Sequence, residues 1–242
     1  MPRAAIDGLV GLTACALAAG LTLAAPAAAG SGVTLSNEQT VTQWAHPAAR
    51  APVRVSPSAS SHSFARLHPR TEDGLPEVYE TLRQQTDSGG AAWVQVRLPM
   101  RPNGRTGWVP RSALGKLHTV HTQLVVRRGK LRATLYRNGR AVFSAPVGIG
   151  MRGLITPAGH FYIRERLRLG SSGGPYGPLA FGTSAYSPKL TDWPGGGVVG
   201  IHGTNEPQAV PGRPSHGCVR LRNRAILRLG RLMPVGTPVL IL

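Results

Sequence analysis

Ser215-His216-Gly217-Cys218-Val219-Arg220-Leu221, read with Ile201-His202-Gly203-Thr204 upstream of it, decides how the rest of this chain is read. The segment sets a cysteine beside one histidine and brings in a second. A thiol needs a neighbouring base to act as a thiolate near neutral pH. Histidine is the side chain that accepts a proton in that range. Gly203 and Gly217 let the backbone approach a substrate closely, and N–H groups beside Cys218 can face a developing oxyanion. Acyl transfer through a thioester requires this set of groups. Three plainer readings stay open at the level of residues. Cys218 can be a small buried hydrophobe. His202, His216 and Cys218 can hold zinc, although no fourth ligand is evident. Arg220 can be half of a structural ion pair.

Outward from this stretch the pattern is β. Val198-Val199-Gly200-Ile201 is an apolar strand that follows the breaker Pro194-Gly195-Gly196-Gly197. Gln123 to Arg127, Leu131 to Tyr136 and Ala141 to Phe143 read as strands, and Asn138-Gly139 gives a strong hairpin signal between the last two. Phe161-Tyr162-Ile163 opens another strand, Gly170 to Pro178 is a loop, and Val239-Leu240-Ile241-Leu242 is a final strand. One helix is expected, capped by Asn223, with Ile226, Leu229 and Met233 at helical spacing and Pro234 as its stop.

The pairing of His202-Gly203-Thr204 with Ser215-His216-Gly217-Cys218-Val219-Arg220-Leu221 resembles the catalytic domain of the L,D-transpeptidases, the YkuD domain. Thr156-Pro157-Ala158-Gly159-His160-Phe161-Tyr162 and Gly174-Pro175-Tyr176-Gly177-Pro178 support the resemblance, which covers about residues 119–242. It implies that Cys218 is the nucleophile and attacks the carbonyl between the third and fourth residues of a peptidoglycan stem. It implies that His202 is the base, oriented by the Gly203 carbonyl. His216 and Gly217 then shape the oxyanion site, Ser215 holds the loop, and Arg220 binds a stem carboxylate. D-Alanine leaves, and an amine of a second stem resolves the thioester; water would give carboxypeptidase activity instead. The resemblance implies no metal and no organic cofactor.

Upstream, residues 51–117 show short strands with turn punctuation. Trp93 to Leu98 alternates, and Asn103-Gly104 separates it from Thr106-Gly107-Trp108-Val109. Trp93 to Val109 resembles the bacterial Src-homology-3-type domain that precedes some envelope transpeptidases. Trp93 and Trp108 are expected in its core. The expected fold class is mainly β: a small β-barrel at 51–117, then a β-rich catalytic domain at 118–242 with few helices. Residues 30–50 read as a linker.

Residues 1–29 read as a signal peptide: Arg3, an apolar run from Leu9 to Leu23, and small residues up to a cleavage site after Ala29. The run is short for a membrane span of about 20 residues. An uncleaved anchor, or a lipoprotein through Leu12-Thr13-Ala14-Cys15, is the alternative. The 242 residues carry 28 Lys+Arg, 10 Asp+Glu and 2 Cys, for a net charge of +18. Cleavage would remove Arg3 and Asp7 together and keep that charge. It would also remove Cys15 and leave Cys218 as the one thiol, which excludes an intramolecular disulfide. Export turns the basic charge away from nucleic acid and toward anionic envelope polymers. The expected location is extracytoplasmic, in the wall or a periplasm-like space. The expected partners are stem peptides as donor and acceptor, with no membrane span after cleavage.

Overall fold

Alternation along the chain becomes strand pairing in two successive sheets. The computed structural model describes residues 32–170, 174–191 and 194–242, so the expected signal peptide at 1–29 lies outside the described residues. The first unit contains β1 (Val33–Thr34), β2 (Thr42–Ala45), β3 (Pro52–Arg54), β4 (Ser63–Arg66), β5 (Tyr79–Thr86), β6 (Ala92–Arg97), β7 (Thr106–Pro110) and β8 (His118–Val120). They form a sheet in the order β4-β3-β7-β6-β5-β2-β8, with β1 also on β5. Its core gathers Val53, Leu67, Tyr79, Val94, Val96 and Val109, and Trp93 and Trp108 are buried.

Within the linker expected at 30–50, the described residues from 32 on are therefore not a plain linker. Val33–Thr34 and Thr42–Ala45 both pair with β5, and Ala45 is fully buried. Between them the Asn37 carboxamide oxygen accepts the N–H groups of Gln39, Thr40 and Val41 at 3.0, 2.9 and 3.0 Å. Two- and four-residue strands are too short to show a period, and their partners lie far along the chain. The boundary expected at 117/118 also moves, because His118–Val120 pairs with β2 and so belongs to the first sheet.

The second unit contains β9 (Thr122–Arg127), β10 (Arg132–Arg137), β11 (Arg140–Pro146), β12 (Gly148–Gly150), β13 (Gly159–Arg168), β14 (Leu179–Tyr186), β15 (Val198–His202), β16 (Gly212–Ser215), β17 (Val219–Arg220), α1 (Asn223–Leu232) and β18 (Pro238–Ile241). Its sheet runs β11-β10-β9-β18-β13-β14-β15-β17-β12-β16. Asn138 and Gly139 both have positive φ, 49° and 74°, as the primed two-residue hairpin turn requires. Ile226 and Leu229 of α1 are fully buried in the core with Phe161, Phe181 and Ile201. Asn223 does not cap the helix. Arg222 occupies that position without a side-chain cap, and the Asn223 Oδ1 instead accepts the Thr204 N–H at 2.9 Å. Among the described residues no helix is long and apolar enough to cross a membrane.

The two units meet on β13 and β14. Arg164, almost wholly buried, donates Nε–H to Glu77 Oε1 at 2.9 Å, pairs again with Glu77 Oε2, and reaches Glu72 at 3.0 Å and the Tyr186 hydroxyl at 3.2 Å. Burial alone would lower the arginine pKa, but the bonds and charge of Glu77 raise it overall. The hairpin residues of the first unit dock beside this joint. Asn103 exchanges two bonds with the Tyr186 backbone, at 2.8 and 2.9 Å. Arg101 donates to the carbonyls of Ser187, Leu190 and Gly196 at 2.9, 2.9 and 2.8 Å. The first unit thereby grips the segment that leads into β15.

Candidate active site

The two histidine- and cysteine-bearing segments come together because β15 and β17 pair in parallel, with Ile201 opposite Val219 and His202 opposite Arg220. Cys218, one residue before β17, is partly buried. It opens with His202 into a cleft of about 230 Å³. Gly200 lies between them: a Cβ placed there would sit 3.6 Å from His202 Cδ2 and 3.8 Å from Cys218 Sγ.

His202 is 3% exposed, and its Nδ1 lies 2.6 Å from the Gly203 carbonyl oxygen. A carbonyl can only accept, so Nδ1 carries the hydrogen and Nε2 keeps the lone pair. Burial pushes the imidazole pKa down to about 4, against the Gly203 bond, and the Arg220 charge lowers it further. The ring is therefore neutral and able to accept a proton at neutral pH. Tyr176 stands edge-on to it, with ring centroids 4.9 Å apart. Burial raises the Cys218 thiol pKa, while the Gly200 N–H at 3.3 Å and the Arg220 charge oppose the rise. The thiolate is not preformed; it has to be generated by proton transfer.

The turn that presents Cys218 is fixed from within. Ser215 Oγ donates to the Cys218 carbonyl at 2.6 Å and accepts the Gly217 N–H at 3.1 Å. Gly217 has φ of +131°, a conformation that glycine adopts readily. Its N–H is committed to Ser215, which leaves the Cys218 N–H as the donor at the end of the turn. Thr156, fully buried, donates its hydroxyl to the Gly217 carbonyl at 2.7 Å and accepts the Gly150 N–H at 2.9 Å. The Thr-Pro motif thus acts as a brace under the cysteine turn. Gly203 packs against Gly177 and Asn223, where a Cβ on Gly203 would come within 2.4 Å of Asn223 Oδ1. His216 is exposed.

Arg220, expected to bind a stem carboxylate, lies beside the cleft with its buried Nε lacking a hydrogen-bond partner. Its Nη1 donates to Glu206 Oε2 at 2.7 Å, and it does not line the cleft. The structural ion pair is the arrangement present, and the guanidinium acts on His202 and Cys218 through its charge. Among the described residues no three His, Cys, Asp or Glu side chains gather as metal ligands.

Two acids in the cleft carried no sequence signal. Glu165 of β13 lies over Gly182, where a Cβ would come within 2.3 Å of its Oε1. Its Oε2 accepts the Thr71 hydroxyl at 2.5 Å. Asp73, from the first unit, lines the same cleft. Burial pushes the Glu165 carboxyl up to about 7; the Thr71 bond opposes this and the Asp73 charge adds to it.

The model of the L,D-transpeptidase catalytic domain family, YkuD, matches residues 121–241. YkuD of Bacillus subtilis is 32% identical over 124 residues, which are 51% of this chain and 68% of that protein. YbiS of Escherichia coli is 35% identical over 136 residues, 50% of this chain and 44% of that protein. Both carry the term L,D-transpeptidase in their names. A solved L,D-transpeptidase structure from Mycobacterium smegmatis aligns with 82% of this chain and 99% of its own at 15% identity, with a TM-score of 0.44.

Proposed function

The chain belongs to the family of L,D-transpeptidase catalytic domains, and from that premise we propose that it is an exported, cysteine-dependent enzyme that cross-links peptidoglycan stems. The observation that carries the reading is a thiol and a neutral, oriented imidazole sharing one cleft. As Cys218 Sγ attacks the stem carbonyl carbon, its proton passes to His202 Nε2. The Cys218 N–H stabilises the oxyanion. Collapse expels D-alanine, whose amine takes the proton from His202, and leaves a thioester on Sγ. An amine of a second stem attacks that thioester and gives its proton to His202. The sulfur leaves and is reprotonated.

Asp73 and Glu165 support an amine acceptor that arrives as an ammonium, and releases one proton to solvent before it attacks, rather than water, because they place negative charge on the cleft wall. The segment 1–29 supports export. The first unit, with its resemblance to Src-homology-3-type domains, would bind envelope polymer beside the substrate. Purified tetrapeptide muropeptides, analysed by product mass, test the reading. A cross-linked dimer and free D-alanine are expected, both absent with Cys218→Ala. A tripeptide without dimer would make the protein an L,D-carboxypeptidase. No product from the intact chain would leave a non-catalytic wall-binding protein.

A further inference from the structure

The ribbon that walls the cleft has a second working face. Side chains alternate across a strand, so Glu165 and Leu167 of β13 face the cleft while Arg166 and Arg168 face away from it. On that far side lies a separate pocket of about 430 Å³, closed by α1, which contributes Arg224, Leu227 and Arg231. Residues 224, 227 and 231 share one helical face.

Four arginines thus line one depression. No carboxylate among the described residues forms an ion pair with any of them. The packing holds them together: a Cβ on Gly230 would come within 2.3 Å of Leu179 Cδ2 and 3.5 Å of Arg166 Nη2, so glycine is what lets α1 close onto the strand. Arg224 also sits in the first turn of α1, where no acid offsets the positive end of the helix dipole. Gathering like charges in this way is unfavourable in the empty protein and is relieved by an anion.

We propose that this pocket binds a linear polyphosphodiester that carries no bases. Arg224 and Arg231 are separated by about 10 Å along the helix, and Arg166 and Arg168 by about 7 Å along the strand. That spread exceeds one phosphate and suits successive phosphates of a chain, each met by a planar guanidinium fork. The lining contains no aromatic ring on which a base could stack, which disfavours single-stranded nucleic acid. The exposed Leu227 is a single apolar contact between the charges, suited to an aliphatic backbone and too little for insertion into a bilayer. Because the pocket and the cleft share β13 and β14, a polymer held here would keep the enzyme at its substrate without entering the cleft.

The test is fluorescence anisotropy of a labelled synthetic glycerol-phosphate hexamer against the full chain. Both Arg166→Gln/Arg168→Gln and Arg224→Gln/Arg231→Gln should weaken binding at least tenfold. Arg50→Gln/Arg83→Gln, which removes two exposed arginines of the first unit, should change it less than twofold. Cys218→Ala should bind as the parent does, so the outcome is independent of the acyl-transfer reading. Each pair of removed arginines should also flatten the dependence of log affinity on log salt. Equal losses in the Arg50/Arg83 control would overturn the proposal. So would equal affinity for a deoxythymidylate hexamer, equal competition by inorganic phosphate at matched phosphate concentration, or binding to phosphatidylglycerol vesicles but not to the hexamer.

Discussion

Arg164 and Glu165 are neighbours on β13, yet they belong to opposite kinds of polar centre. Arg164 enters the joint between the units, where Glu77, Glu72 and Tyr186 occupy its donors. Glu165 enters the cleft with Cys218 and His202. In the joint, the donors of Arg164 are filled and its charge is covered by two carboxylates. In the cleft, hydrogen-bonding capacity is held in reserve: His202 commits one ring nitrogen and keeps the other, the thiol is protonated, and an acid titrates near neutrality. A satisfied polar centre holds the fold together; an unsatisfied one is where a substrate can add bonds. Substitutions on the two sides should therefore separate activity from stability.

The largest effect belongs to the cleft. His202→Gln should lower kcat by about 10²–10⁴-fold, the range for loss of a general base, with little change in Tm at pH 8. A fall under tenfold would place the base elsewhere. The same substitution tests the burial of the ring. The folded imidazole pKa of about 4 lies below the ordinary histidine value of 6.5. The unfolded chain therefore takes up the proton first as pH falls, and stability is lost between about 6.5 and 4, by roughly 3 kcal/mol in total. Thermal unfolding across that window should be steeper for the parent than for His202→Gln.

Next comes the joint. Glu77→Gln leaves Arg164 buried with a weakened partner, a change worth about 3 kcal/mol of stability. Denaturant unfolding should show that loss, while kcat per folded molecule stays within about twofold. If kcat falls as far as it does for His202→Gln, the joint and the cleft are one catalytic unit and the distinction between them fails.

This division also marks what the sequence could disclose. The cysteine and histidine stand in short motifs with their glycines, so the chemistry was legible before any fold. The β10–β11 hairpin was legible because Asn138-Gly139 specifies its own turn. The Arg164–Glu77 pair joins residues 87 apart and leaves no local trace. Asp73 reaches the cleft only because the units dock. Asn223 looked like a helix cap because capping is the local use of asparagine; a tertiary bond to Thr204 outcompetes it. Arg220 stands in the same motif, and its pairing with Glu206, fourteen residues upstream, left no local trace.

Thr156 lies between the two classes, structural by its bonds and catalytic by its position. Thr156→Val keeps the shape and removes the hydroxyl that links Gly150 N–H to the Gly217 carbonyl. The unpaired groups should cost about 1–3 kcal/mol. Because the Gly217 carbonyl sits one residue before Cys218, kcat should fall about five- to twentyfold in the molecules that remain folded. An unchanged kcat would make the Thr-Pro motif a brace for the sheet alone.

The smallest effect is the most selective. Glu165 titrates near 7, so the negative charge it shares with Asp73 grows as pH rises through that value. If this wall attracts an ammonium acceptor, KM for the acceptor should fall over the same range at nearly constant kcat. Glu165→Gln should flatten that limb and raise KM about three- to tenfold at pH 8, leaving donor acylation untouched. Its effect on stability runs the other way. A carboxyl raised from 4.5 to about 7 on folding binds protons more tightly in the native state. The parent therefore loses stability as pH climbs across that interval, and Glu165→Gln should melt above it at pH 8. A variant that is both more stable and poorer at capturing the acceptor would show that the cleft accepts instability in exchange for charge, as the joint does not. If KM and Tm fall together instead, Glu165 belongs with Arg164 as a structural residue.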